Sequence, residues 1–204
     1  MNLPSVAECD QLFARYHVPK NIHEHCRAVS RLAVRIAEQL KARGIVINVE
    51  LVRIGSLLHD WMKAAALEKL GSSKQFPYEP TAEEIASWEE LRARFAGKHE
   101  SEIAAELLKD DYPELAAFIR GEGALSHELP TERGWEEKVV HYADWRVLGE
   151  KIIPLKERLQ DFFERYYEKI VGDGGLERWK LVVAAEGQAE REICGVLQAK
   201  AEEL

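Results

Sequence analysis

The apolar run Ile54-Gly-Ser-Leu-Leu58 has to be buried, and it leads straight into two ionisable residues, His59-Asp60, with Lys63 shortly after. Any fold that buries the run brings the pair to the edge of a core. Ionisable groups removed from water are costly unless partnered, and a metal ion is the usual partner for an imidazole beside a carboxylate. The imidazole offers one nitrogen, while the carboxylate has two oxygens and can bridge two ions. A His-Asp dipeptide alone is also a common helix end, so the rest of the chain decides its meaning.

Helical periodicity dominates that rest, and no convincing alternating strand stands out. A short helix is expected over 5–17, before Pro19. The clearest covers 21–43, where Ile22, Val29, Leu32, Ala33, Ile36, Ala37 and Leu40 share a face and Gly44 stops it. Asn48 is a suitable N-cap for a third, expected to run to about Leu70. Gly71–Pro80 reads as an exposed loop, and Thr81 with Glu84 forms a capping-box pattern opening a helix to about Phe95. Further helices are expected at 98–109, 112–121, 134–149 and 152–171. Gly172-Asp-Gly-Gly175 breaks the chain before a last helix over 176–202. The expectation is an all-α helical array. It has a domain over 1–171 with its core at about 20–150, and 172–204 as a C-terminal helix that packs on the domain or forms a homodimer contact.

Composition narrows the function. At 204 residues, 46% hydrophobic and 31% charged, the chain can bury one substantial core. A net charge of −8 argues against a duplex nucleic acid surface, which needs clustered Lys and Arg. It leaves room for a local basic pocket and a phosphorylated small molecule. Cys9, Cys26 and Cys194 are odd in number and far apart, as expected of reduced structural thiols. Met1-Asn-Leu-Pro-Ser5 lacks the features of a signal peptide, and no apolar run approaches the roughly 20 residues of a membrane span. A cytoplasmic protein without membrane contact is expected.

Other residues fall where a metal site assembled from several helices would need them. His25 lies in the first long helix, His99 follows Gly97-Lys98 at a helix start, and His127 sits in Leu125-Ser-His-Glu-Leu129. Asp144 lies in His141-Tyr-Ala-Asp-Trp-Arg146, and Lys63 leans toward the same helical face as His59 and Asp60. Together these give His…His-Asp-x-x-Lys…His…His…Asp. In ligands, order and apolar frame the chain resembles the HD-domain superfamily of metal-dependent phosphohydrolases, over roughly 20–150. Tyr142-Ala-Asp-Trp-Arg-Val147 is similar to the closing motif of small HDIG-type proteins. Trp61-Met62 stands where Ile-Gly commonly follows the pair, a departure that removes no ligand.

The resemblance implies roles. His25, His59, Asp60 and Asp144 would hold a first divalent ion (Fe, Mn, Co, Ni or Mg), and Asp60 would bridge to a second bound by His99 and His127. Asp60 and Lys63 would be the catalytic pair, Lys63 also meeting substrate phosphate. Two ions about 3.5–4 Å apart can share one phosphate and activate a water, while an ammonium group neutralises developing charge. Each residue also has a plainer reading. His99 could be a helix-start residue, His127 and Lys63 solvated side chains, and His141 a ligand competitor, a group behind the ligands or a surface residue. His17 and His23 are most simply exposed. Arg146 could bind substrate or pair with a carboxylate, and Trp61 and Trp145 suit core packing better than stacking on a base. The charges of 132–138 and 156–169 read as solvated helix faces.

The function expected first is hydrolysis of a phosphoester or phosphoanhydride of a nucleotide-like small molecule at a binuclear site. The alternatives are a mononuclear nucleoside-monophosphate phosphatase, a di-iron HD-type oxygenase using the same ligands, and a non-catalytic metal-binding regulator. The Gly-Tyr-Pro element of cyclic-dinucleotide phosphodiesterases is absent.

Overall fold

A computed structural model describes residues 1–67, 78–124, 133–172 and 175–204. Most of the loop expected over 71–81, and His127, lie outside the described residues. Eleven helices are described: α1 Val6–Arg15, α2 Lys20–Ala42, α3 Val49–Leu58, α4 Lys63–Ala66, α5 Ala82–Arg94, α6 Glu100–Leu108, α7 Pro113–Ala124, α8 Trp135–Asp144, α9 Leu155–Arg165, α10 Tyr167–Val171 and α11 Gly175–Leu197. Among the described residues the only strands are β1 Val147–Leu148 and β2 Lys151–Ile152, a minimal antiparallel hairpin. The fold is all-α.

Local chemistry sets the helix ends. Ser5 and Glu8 cap α1 reciprocally, and Thr81 and Glu84 do the same for α5; Asn48 Oδ1 accepts from Leu51 N at the start of α3. At the C-terminus of α2, Gly44 takes φ +88 and Ile45 N donates back to Leu40 O at 3.1 Å, satisfying a carbonyl the helix leaves free. The same closure ends α1 at His17 (φ 49) and α11 at Gln198 (φ 54), neither of them glycine. Gln198 therefore stops the last helix short of the expected residue 202, and a single 3₁₀ turn, Ala201–Glu203, follows.

The core is organised around α2. Every residue of its expected apolar stripe is buried, and it packs on both α3 and α8, which also touch each other. Helix α7 closes on α3, and α6 on α7.

Three expected helices are interrupted. The third stops at Leu58 rather than near Leu70: the chain passes into tight turns, with Lys63 N donating to Asp60 O at 2.9 Å and Ala65 N to Met62 O at 3.0 Å, leading into the short α4. Breaking at His59 lets Trp61 and Met62 pack inward while the pair turns to one side. The helix expected over 134–149 ends at Asp144, and Gly149 (φ +61) then turns the hairpin. The helix expected over 152–171 divides at Tyr166.

Helix α11 joins α8 through polar as well as apolar contacts. Lys138 pairs with Glu192, Tyr142 Oη donates to Glu190 at 2.9 Å, and His141 Nδ1 lies 2.9 Å from Glu186, a carboxylate only 1% exposed. Lys138 and Arg133 are thus buried, not on the solvated face expected for 132–138. Ala185, Ala189, Ile193 and Leu197 fill the space between these pairs. The three cysteines are free, and burial pushes the Cys9 thiol up to about 12. No helix of the described residues is long and apolar enough to cross a membrane.

Gly55, inside α3, is where α7 comes closest: a Cβ there would overlap Cε1 and Cδ1 of Phe118. Alanine gains up to about 1 kcal/mol in helix propensity, but overpacking a core costs about 1–3 kcal/mol. Gly55→Ala is therefore expected to lower the urea unfolding midpoint, and Phe118→Leu in the same chain to restore part of the loss.

Candidate metal centre

Three elements meet where α2, α3 and α8 cross. His25 comes from the first turns of α2, His59 from the C-terminal end of α3, and Asp144 from the last residue of α8. One donor atom from each lies within 4.8 Å of the others. The sequence separates these residues widely; the packing of α2 on both partners brings them together.

The hydrogen bonds fix which atoms point inward. A backbone carbonyl only accepts, so His59 Nδ1, 2.7 Å from Ser56 O, must carry a proton, and so must His25 Nδ1, 3.0 Å from Gly149 O. In a neutral ring each Nε2 then presents its lone pair. His25 Nε2 faces Asp144 Oδ1 at 2.9 Å, and His59 Nε2 lies 3.6 Å from the same oxygen. His59 Nε2 is buried and, among the described residues, makes no hydrogen bond. Two nitrogen lone pairs directed at a carboxylate oxygen require something positive among them, a proton or a metal ion. Neutral imidazoles and a carboxylate are also a common donor set for divalent transition metals. The residues fit such an ion.

Asp60 stands beside this group, with Oδ2 3.8 Å from His59 Nε2 and paired with Lys63 Nζ. The helix break after His59 puts Lys63 at the first position of α4, from which it reaches back to Asp60. Burial alone would push both carboxyl groups up, but Lys63 and His59 hold Asp60 below the usual carboxylate range. The hydrogen bond with His25 and the neighbouring His59 hold Asp144 well below it. Burial also works against charge on His59 and Lys63, yet neighbouring carboxylates outweigh it. Asp60, Cys26 and Asp144 hold His59 well above the ordinary imidazole value, and Asp60, then Asp144, keep Lys63 firmly protonated.

The other expected residues fall into different settings. His99 is the N-cap of α6: its Nδ1 accepts from Ser101 N at 3.3 Å, and its Nε2 lies 3.3 Å from Glu100. It does not join the three-donor group, although α4, which carries Lys63, packs against α6. Arg146 is 3% exposed; Nε donates to Ile153 O at 2.7 Å, and its NH1 group donates to Tyr142 Oη and Ala201 O, with Glu190 at 3.9 Å. Of its two readings, the structure displays carboxylate pairing within the fold. His141 meets Glu186 on α11, Trp61 packs edge-on to Tyr16, and Trp145 packs among Phe162 and Trp179. His17 and His23 are half-buried, with Arg27 Nε donating to His23 Nε2 at 2.7 Å.

Sequence reasoning missed Ser56 O and Gly149 O, because a backbone acceptor leaves no mark in residue type. It also missed Glu186. That residue reads as one more charge on an acidic helix until α11 is seen packed on α8.

Because His59 is held above its usual value, an ion must displace a proton from it. Affinity for Zn²⁺ or Mn²⁺ is therefore expected to rise with pH from about 6 until that raised value is passed, with proton release measurable by calorimetry in buffers of different ionisation enthalpy. The metal-free protein should show the opposite trend. A group with a raised folded-state pKa contributes stability below its unfolded value of about 6.5 and loses it as pH rises through the folded one. His59→Ala should abolish both dependences.

A family model of the HD domain matches residues 22–147. The chain is also similar to an uncharacterised protein of Methanocaldococcus jannaschii, 31% identical over 151 residues, which cover 72% of this chain and 78% of that protein. No solved structure matches. The family match spans more than half of the chain and takes in α2, α3 and α8, the three helices that bring His25, His59 and Asp144 together: the chain belongs to the HD domain family.

Proposed function

We propose that the protein is a divalent-metal-dependent phosphohydrolase acting on a phosphoester or phosphoanhydride of a nucleotide-like small molecule. The observation that carries this reading is the convergence of His25 Nε2, His59 Nε2 and Asp144 Oδ1 beside the Asp60–Lys63 pair, with His59 Nε2 buried and without a hydrogen bond among the described residues. Asp60 would complete the first ligand set. A bound divalent ion would supply Lewis acidity, polarising a phosphoryl oxygen and making the attacking water more acidic.

The chain's own groups do the rest. Lys63, still partly exposed while paired with Asp60, offers an ammonium charge to phosphoryl oxygens as negative charge develops on them. Asp60 holds Lys63 at the mouth of the site and keeps its charge fixed. The Ser56 and Gly149 carbonyls keep both imidazoles with Nε2 inward. A second ion would be held by His99 and His127 with Asp60 as bridge. The N-cap role of His99 favours a second reading, a mononuclear nucleoside-monophosphate phosphatase in which His99 serves only α6.

Metal content per chain after anaerobic purification separates these readings. About two ions in the wild type, with His99→Ala losing about one and Asp60→Ala most, supports the binuclear site. One ion indifferent to His99→Ala supports the mononuclear phosphatase. Phosphate release from a panel of nucleotides then tests the chemistry. Lys63→Met is expected to lower turnover by roughly 10²–10³-fold with ion content retained. O₂ uptake without phosphate release would replace hydrolysis with oxidation.

A further inference from the structure

The hairpin that follows Asp144 is not needed to supply a ligand, yet it touches the site. His59 finds its Nδ1 acceptor at Ser56, three residues back, so that contact forms wherever α3 forms. His25 has no such local partner. Its acceptor is Gly149 O, 124 residues away and at the tip of the hairpin. The segment running out of α8 therefore grips the His25 ring twice, with Asp144 on Nε2 and Gly149 O on Nδ1.

The turn is built to aim that carbonyl. Leu148 pairs with Lys151, leaving a two-residue loop, Gly149-Glu150. Gly149 has φ +61 and Glu150 is not left-handed, the pattern of a type II′ turn, in which only the first central residue has positive φ. A Cβ at Gly149 would meet nothing within 4 Å, so conformation and not space is what the glycine supplies there. The hairpin is held at its base as well: Ile153 N donates to Arg146 O at 2.8 Å, and Arg146 Nε donates back to Ile153 O. Arg158 Nε adds a bond to Val147 O at 3.0 Å.

We propose that Gly149 is a positioning residue of the metal centre: the type II′ turn directs its carbonyl onto His25 Nδ1 and so fixes the tautomer and ring orientation that present Nε2 to the ion. Arg146 serves the same end as the strut of the hairpin, and its hydrogen bond to Ala201 O ties the turn after α11 to the site. The inference rests on the metal-centre reading and adds to it a group that residue types do not reveal.

Turn chemistry supplies a test that spares the hairpin. Asn-Gly is the preferred sequence of a type I′ turn, which joins two strands equally well but reverses the central peptide. Gly149→Asn with Glu150→Gly should therefore keep the Val147–Ile152 pairing, seen as cross-strand NOEs, while turning the residue-149 carbonyl away from His25. The expected result is Zn²⁺ and Co²⁺ affinity weakened by about 10–100-fold with the urea midpoint of the metal-free protein unchanged. Long-range ¹H–¹⁵N spectra of the zinc-loaded wild type, which need no variant, should show His25 protonated at Nδ1 and bound through Nε2. The double variant should lose that fixed tautomer. Affinity within twofold of wild type with the peptide reversed, or zinc on Nδ1 of His25 in the wild type, would overturn the role of Gly149 and leave the metal centre standing. A wild type that takes up no ion through a His59→Ala-sensitive site would overturn both.

Discussion

The structure depends on how the chain accommodates an ionisable pair at the end of its most apolar helix. Burying α3 against α2 and α8 carries His59 and Asp60 to the edge of the core, where their charge has to be balanced. The balance comes from the elements that do the burying: α2 brings His25, α8 brings Asp144, and the break after His59 lets Lys63 reach back. Packing and site are thus one arrangement, because the crossing that excludes water from Leu57 and Leu58 also sets the distances among the donors.

Around this point lies a second group of polar contacts with a different task. Lys138, His141, Tyr142 and Arg146 on α8 and its extension meet Glu192, Glu186 and Glu190 on α11. These residues hold the last helix to the back of the element that carries Asp144. Acid–base partners in such number near a putting-together of helices are easily mistaken for a reaction centre. Each of these side chains on α8 and its extension faces a carboxylate of α11, so the group joins the two elements through hydrogen bonds and opposite charges.

The two histidines of the centre also differ in what holds them. His59 is oriented by its own helix, and His25 by a turn far along the chain. The first is therefore set by local structure, and the second only once α8 and the hairpin have docked on α2. A metal site held by these residues could not form ahead of the fold, and ion binding would then be coupled to folding.

Much of this was legible in the chain. The apolar stripe of α2, the stop at Gly44 and the capping boxes at Ser5 and Thr81 rest on local rules of spacing and side-chain chemistry, and a sequence displays these directly. The order His25, His59-Asp60, Lys63, Asp144 likewise resembled the HD-domain pattern, and the family match over residues 22–147 agrees with it. What the sequence could not decide depends on direction and on distant neighbours. The turn at His59 leaves Trp61 and Met62 buried beyond it, and Arg146 turns inward because Tyr142, Ile153 and Ala201 surround it. His99 spends one nitrogen on its helix cap. The Gly149 carbonyl reaches His25 through a turn whose residues bear no chemical label. Residue identity determined which donors this protein owns; only tertiary packing decided which of their atoms face one another, because hydrogen bonds to the backbone and the crossing of helices are properties of position and not of type.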